Sequence, residues 1–272
     1  MDTTASDYRE FFPPPRLESH LICFWTQTIT SSTTASDSNA AFEQRVLPDG
    51  CVDIVAIDDE APAIIGPWTQ PFVTRLSPGT VITGARFRPG AAAGALGLPA
   101  SALLNQAVEL RAFWRSAATA RFERIADARS ITARLAAMET ALLDRMERVS
   151  FCDSTTDAAV RWLARNPRGQ VEHLSHWLGL SRRQLQRRFV GAVGYGPKKF
   201  QSVLRFQRLL SLAARKSETR SLARFSADAG YADQAHMTRE VQRFSGLAPT
   251  VLLRSAQSAL QLSDLLAAED DK

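Results

Sequence analysis

The sequence predicts an α+β protein with an N-terminal β-rich barrel or sandwich, a helical connector, and a C-terminal all-α domain of two helix-turn-helix units. Three observations carry this. Between residues 21 and 83, short apolar runs rich in β-branched and aromatic residues are cut by turn formers. After Pro89-Gly90 the composition shifts to Ala, Leu, Arg and Glu with helical spacing. In the last third one pattern occurs twice. Val171, Leu174, Leu178 and Gly179 return 51 positions later as Leu222, Phe225, Ala229 and Gly230, and Leu185, Arg187, Phe189, Gly194 and Pro197 return 52 positions later as Met237, Arg239, Val241, Gly246 and Pro249.

At 272 residues the chain has room for two domains. Strands are expected at LICFWTQTI, CVDIVAI, PAIIGPW, FVTRL and TVITGARF, with Pro48-Asp49-Gly50 and Pro78-Gly79 as turns joining antiparallel strands. The polar stretch Thr30 to Ala40 reads as a surface loop. From Ser101 to Arg148 the stripe Leu135, Met138, Leu142, Leu143 and Met146 predicts two or three helices, packed on their own domain or shared with a second subunit. Ser150 to Asp157 is polar and ends in capping residues, so the domain boundary falls there. The resulting division is 1–150 for a sensor or dimerisation domain with its connector (about 100–148), 151–256 for the helix-turn-helix domain, and 257–272 for an acidic tail.

Each copy of the repeat reads as a short helix, a glycine turn and a second helix. In the first, Ser181 is the N-cap, Leu185 and Phe189 face inward, and Arg182, Arg183, Gln186 and Arg187 face out. In the second, Asp233 caps, Met237 and Val241 face inward, and Gln234, Ala235, Thr238 and Arg239 face out. Arg pairs bidentately with guanine and Gln with adenine in the major groove, and Thr238 suits a phosphate or a thymine methyl. Pro197 suits the first turn of a helix running to Lys216, with an apolar face at Phe200, Val203, Leu204, Leu210 and Ala214. Such a helix spans about 30 Å, near the separation of about 34 Å between successive major-groove segments.

Charge placement agrees. Residues 1 to 150 hold 14 Arg, no Lys and 17 acids, while residues 161 to 254 hold 18 Lys plus Arg against 5 acids. A segment with a net charge of +13 is drawn to a polyanion by counterion release. Cys23, Cys51 and Cys152 form no CxxC pair, which disfavours a zinc module or disulfide framework and implies a reducing compartment. The N-terminus lacks a signal-peptide pattern and no run of about 18 apolar residues occurs, so the expected location is the cytoplasm.

The segments LGLSRRQLQRRFVGAVGYGPKKF and DAGYADQAHMTREVQRFSGLAP resemble the two helix-turn-helix units of the AraC/XylS family of bacterial transcription regulators. The resemblance covers residues 154 to 254 or so. It implies base contacts from Arg183, Gln186 and Arg187 in the first unit and from Gln234 and Arg239 in the second. Val241 stands where the family usually shows Phe and Met237 where it shows Phe or Leu, and both keep an apolar core residue. Through RVLPDGCVDIV (Arg45 to Val55) and GARFRPGAAA (Gly84 to Ala93), the N-terminal half resembles a poorly characterised domain that often precedes this module. By analogy it senses a small molecule or dimerises.

Other chemistry is weakly marked. Asp49, Cys51 and Asp53 cluster without a nearby His, which argues against a nucleophile. His173 and His176 share a helix face but have no third ligand, so neither a metal nor a cofactor is expected. Arg86 and Arg88 can clamp an acidic effector or pair with Asp49 or Asp53. Trp25, Trp68, Phe72 and Phe87 line a pocket or fill the core. The sequence therefore points to a non-enzymatic, sequence-specific DNA-binding transcription regulator, modulated through its N-terminal domain by a small-molecule effector or by dimerisation. Double-stranded DNA is the primary partner, with RNA polymerase and a second copy as further ones. The alternative is a small-molecule-binding or enzymatic N-terminal domain localised on nucleic acid by the C-terminal module.

Overall fold

The computed structural model describes residues 6–30, 41–113, 124–125, 127–128, 130–148, 153–214 and 221–255. Most of the expected polar loop, Cys152, Arg215, Lys216 and the acidic tail lie outside the described residues. The strands are β1 (Ser6–Phe11), β2 (Leu21–Ile29), β3 (Phe42–Val46), β4 (Val52–Ile57), β5 (Ala63–Ile65), β6 (Phe72–Leu76), β7 (Val81–Phe87) and β8 (Ala107–Glu109). They form one antiparallel sheet in the order β1-β2-β7-β4-β5-β8 and a second made of β3 and β6.

Alternation sends successive side chains of the larger sheet to opposite faces. Phe87 pairs with Leu21 and Val52, and Ala85 with Phe24 and Ile54. This apolar face is covered by α1 (Ala92–Leu96) and α2 (Ile131–Arg148), which bury Leu96, Met138, Ala141 and Leu142 with it. The other face carries Cys23, Trp25, Val55 and Ile82, and meets Leu76 and Phe42 of the smaller sheet. The N-terminal part is thus a sandwich backed by helices. Leu135, Leu143 and Met146 of the expected stripe pack on this same core, so the stripe serves its own domain.

Three expectations are corrected. Pro48-Asp49-Gly50 and Pro78-Gly79 do not close hairpins: each carries the chain from the small sheet to the large one, since β3 and β6 pair only with each other. The segment after Ser101 is not all helix, because Ala107–Glu109 adds a strand to the sheet edge at β5, where backbone pairing outweighs the propensities of three residues. β1 and β3 are also strands, although SDYREF and FEQRV lack an apolar run: β1 is a half-exposed edge and β3 belongs to the thin sheet.

The C-terminal part consists of α3 (Ser154–Arg165), α4 (Val171–Trp177), α5 (Arg182–Val193), α6 (Pro197–Ala214), α7 (Leu222–Ala229), α8 (Gln234–Ser245) and α9 (Pro249–Ser255). Pro197 and Pro249 each open a helix, where a missing N–H costs nothing. α6 is about 27 Å long at about 1.5 Å per residue. It is buried on several sides rather than along one stripe. Phe200 and Gln207, seven residues apart, share one face; Phe206 lies about 120° away around the helix. Phe200 packs on Phe189 of α5 at 5.5 Å between ring centroids, and Phe206 on Phe244 of α8 at 5.3 Å. A third face carries Gln201, which donates to the carbonyls of Asn166 and Gly169 at 3.1 and 2.7 Å. One continuous core therefore runs through both units.

Leu204→Pro removes a helical hydrogen bond in the middle of α6 and kinks it. The variant should lose about 3 kcal/mol of unfolding free energy in urea melts, and its affinity for a full DNA site should drop to that of one unit. Undiminished full-site affinity would show that α6 is not the spacer.

Candidate nucleic-acid interface

The first unit is built by its turn and cap. α4 buries Leu174 and is followed, after its C-cap Leu178, by Gly179, whose φ of +64° is left-handed backbone that suits glycine. The Ser181 hydroxyl then accepts the Gln184 N–H at 3.2 Å, while Gln184 Oε1 accepts the Ser181 N–H at 2.9 Å. This reciprocal capping box starts α5. Leu185, Phe189 and Val193 are buried, which leaves Arg182, Arg183, Gln186 and Arg187 exposed, as the spacing predicts. Arg182 pairs with Glu172 of α4 at 2.8 Å. The Gln186 carboxamide lies over Gly196, where a Cβ would sit 2.5 Å from its nitrogen.

The second unit repeats the construction. Gly230 is left-handed at φ +91°, and the Asp233 carboxylate accepts the His236 N–H at 2.6 Å. Met237, Val241 and Phe244 are buried; Gln234, Ala235 and Arg239 are exposed. Thr238 departs from the expectation. It is half-buried and its hydroxyl donates to the Gln234 carbonyl at 2.9 Å, a common resort of a threonine inside a helix, so the methyl is the group left for a base.

Sequence reasoning missed the pair that ties α8 to the spacer. Glu240 is buried in α8 and takes Arg205 of α6 at 3.4 Å and Arg243 at 3.3 Å. Arg205 also donates to the Pro167 carbonyl at 3.3 Å and stacks over Tyr231 at 5.7 Å. The one available signal was an acid inside an otherwise basic helix. Arg183, Arg187 and Arg239, by contrast, are exposed and take no hydrogen-bond or ion-pair partner among the described residues. Arg188, on the same helix, leans back on Asp153 at 3.7 Å and on Thr155.

The expected effector residues occupy the sandwich but do not form one open site. Arg86 donates to both oxygens of Asp53 at 3.1 and 3.2 Å and lies 3.9 Å from Asp49, so its guanidinium is engaged in a structural pair. Arg88 donates to the Glu18 carbonyl at 2.7 Å. The Trp25 ring lies flat against Gly84, where a Cβ would meet it at 2.2 Å, and Trp68 stacks on Phe72 at 4.7 Å. Both indole N–H groups are buried with no acceptor among the described residues. Cys23 and Cys51 are buried, and burial pushes both thiols up, which opposes thiolate chemistry. His173 and His176 are exposed. No cluster of three or more metal-ligating side chains occurs among the described residues. No helix among them is long and apolar enough to cross a membrane.

Two capped helices with outward arginines, joined by a buried spacer, define the class of paired helix-turn-helix proteins. Residues 174–255 match the family described as "Helix-turn-helix domain", and residues 9–109 match "Domain of unknown function (DUF6597)". The chain therefore carries a helix-turn-helix DNA-binding domain behind a domain that has no assigned role. No curated protein matches it in sequence. Among solved structures it is similar to ToxT from Vibrio cholerae O395, at 8% identity and a TM-score of 0.43, covering 81% of this chain and 99% of that one. The same protein bound to (E)-4-(8-methylnaphthalen-1-yl)but-3-enoic acid gives 10% and 0.42, covering 80% and 99%. ToxT from strain SCE256, bound to an unsaturated fatty acid, gives 9% and 0.39, covering 81% and 97%.

Two carboxylates share one guanidinium in the sandwich, and they are not equivalent. Asp53 holds the bidentate contact, whereas burial raises Asp49, offset in part by Arg86. An acid whose folded pKa is raised adds stability at low pH and loses it as pH climbs through that pKa. Asp53→Asn should cost about 2 kcal/mol near neutral pH, because it strips a partly buried arginine of its main partner. In Asp49→Asn the urea midpoint should gain on that of the unaltered chain as pH rises from about 4 to about 7. A midpoint difference that stays flat across the range, or an Asp53→Asn variant as stable as the unaltered chain, would contradict this assignment.

Proposed function

We propose that the protein is a sequence-specific DNA-binding transcription regulator in which α5 and α8 enter successive major-groove segments of one duplex. The observation that carries this reading is that Arg183, Arg187 and Arg239 stay exposed and unpaired among the described residues, while Arg182, Arg188 and Arg205 are tied down. Arg183 and Arg187 read bases from the first helix, joined by Gln186 once its carboxamide swings off Gly196. Arg182, already paired with Glu172, positions a phosphate. In the second helix Arg239 and Gln234 read bases, and the Thr238 methyl meets thymine. The first helix carries the stronger reading face.

In this reading the N-terminal domain modulates DNA binding and catalyses nothing. A small polar effector is supported by the indole N–H groups of Trp25 and Trp68, which are buried and lack acceptors among the described residues, so each leaves a hydrogen bond unmade. RNA polymerase and a second copy of the chain are further partners of such a regulator, and the cytoplasm is its place.

The test compares affinity for the protein's own upstream DNA with that for scrambled DNA of equal length across a salt series. Specific binding should exceed non-specific binding by about 10³-fold or more at physiological salt. Equal affinities at every salt concentration would reject the reading in favour of a non-specific polyanion binder. Arg183→Ala and Arg239→Ala should each lower specific binding by about 1–3 kcal/mol and relax preference at one base position. Loss shared equally by all sequences would reassign that arginine to the phosphates.

A further inference from the structure

The two segments that mark the N-terminal domain in sequence, Arg45 to Val55 and Gly84 to Ala93, and the neighbouring loops touch the C-terminal domain at three places. At the spacer helix, Gln207 Nε2 donates to the Pro48 carbonyl at 2.7 Å in buried surroundings. Beside it Gly50, at φ +88°, lies under Phe200: a Cβ there would sit 2.6 Å from the ring and 3.3 Å from Tyr195 Oη. Phe200 and Gln207 meet the turn together because they share one face of α6. Leu47 joins the C-terminal core. At the end of the first reading helix, Gly90 lies against Thr156 and Val193, and Gly194 against Pro67 and the Ala100 carbonyl, with a Cβ 2.6 Å from Pro67. At the end of the second, Arg45 Nη1 donates to the carbonyl of Ser245, the last residue of α8, at 3.1 Å, and Gly246 lies beside Arg45 and Pro71. A cation at a helix C-terminus also meets the negative end of its dipole.

All three contacts avoid the exposed reading faces. They reach the C-terminal ends of α5 and α8 and the helix between them. The spacer helix and its shared core hold the two units together, and a third body touching the far end of each unit braces that arrangement as a triangle. We propose that these segments form a clamp by which the N-terminal domain fixes the separation and twist of the two reading helices, and so sets the spacing between half-sites that the protein accepts. The turn that delivers the clamp is anchored on its other side by the sandwich interior, where Asp49 accepts the Cys51 N–H at 2.9 Å and faces Arg86. The proposal rests on the DNA-binding reading and gives the unassigned domain a mechanical role in it.

The experiment uses the full chain, its Arg45→Ala and Gln207→Ala variants, and Gly50→Ala as an independent way to lift the turn off Phe200. Hydrogen exchange is read first, because it needs no DNA. Across the domain interface Arg45→Ala cuts only the hydrogen bond to Ser245, the other loss being its exposed pair with Glu43 within β3, yet under the clamp it should also speed exchange around Val193 to Gly196, at the end of the other reading helix. Faster exchange confined to Ser245 to Leu247 overturns the clamp, whatever the protein does with DNA. Binding is then measured on the duplex footprinted from its own upstream region, with and without two base pairs inserted between the segments contacted by α5 and α8. The unaltered chain should lose about 10²-fold on insertion, the clamp variants less than about tenfold, with single-segment affinity unchanged. Variants as intolerant of insertion as the unaltered chain overturn the proposal. If the unaltered chain shows no preference for that duplex over scrambled DNA, the regulator reading falls and the exchange result alone decides the clamp.

Discussion

Everything in the C-terminal half depends on α6 being buried along its length. A helix exposed on one side needs one apolar stripe; α6 instead has Phe200 toward the first unit, Phe206 toward the second, and Gln201 and Arg205 toward the loop before α4. Its buried polar groups meet named carbonyls or Glu240, Arg205 Nε being left without a partner among the described residues, which keeps down the penalty of unmet hydrogen bonds. The two units are consequently parts of one core, and the pose of one constrains the pose of the other.

Electrostatics separates work from structure. Inside, charges come in pairs: Arg86 with Asp53, Arg205 with Glu240. On the outward faces of α5 and α8, Arg183, Arg187 and Arg239 are left unpaired among the described residues. An unpaired exposed cation costs little in water and is free to displace the counterions condensed on a polyanion's phosphates. The division continues at the scale of domains, with acids in excess over the first 150 residues and a large basic excess in the repeat. A polyanion is drawn to one part of the molecule and repelled by the other, which orients the encounter.

The repeat was legible in sequence because its physics is local. Gly179 and Gly230 take left-handed turns, Ser181 and Asp233 cap, and the i, i+4 pairs Leu185–Phe189 and Met237–Val241 turn inward. The exposed arginines follow from that phase. What was not legible is what depends on distant pairing. SDYREF and FEQRV become strands because partners exist for them, and Ala107–Glu109 extends an edge that β5 presents. Pro48-Asp49-Gly50 has the composition of a hairpin turn, but nothing local tells that β3 and β4 go to different sheets. Nothing local names a partner for Glu240 or Gln207; only the tertiary fold shows that one holds Arg205 and the other the Pro48 carbonyl.

The same turn explains why the domain interface adds polar contacts to the apolar packing of Leu47 and Phe200. An apolar interface is tolerant: side chains slide and repack at small cost. A carbonyl that accepts from Gln207, and a helix end that accepts from Arg45, fix register as well as proximity, because a buried hydrogen bond misaligned by a few tenths of an ångström forfeits much of its energy while its desolvation cost remains. Gly50 adds a steric counterpart, since the Phe200 ring occupies the space where a Cβ would be. Such contacts favour one docking pose over its neighbours. That is the property required of a part that must hold two reading helices at a set distance.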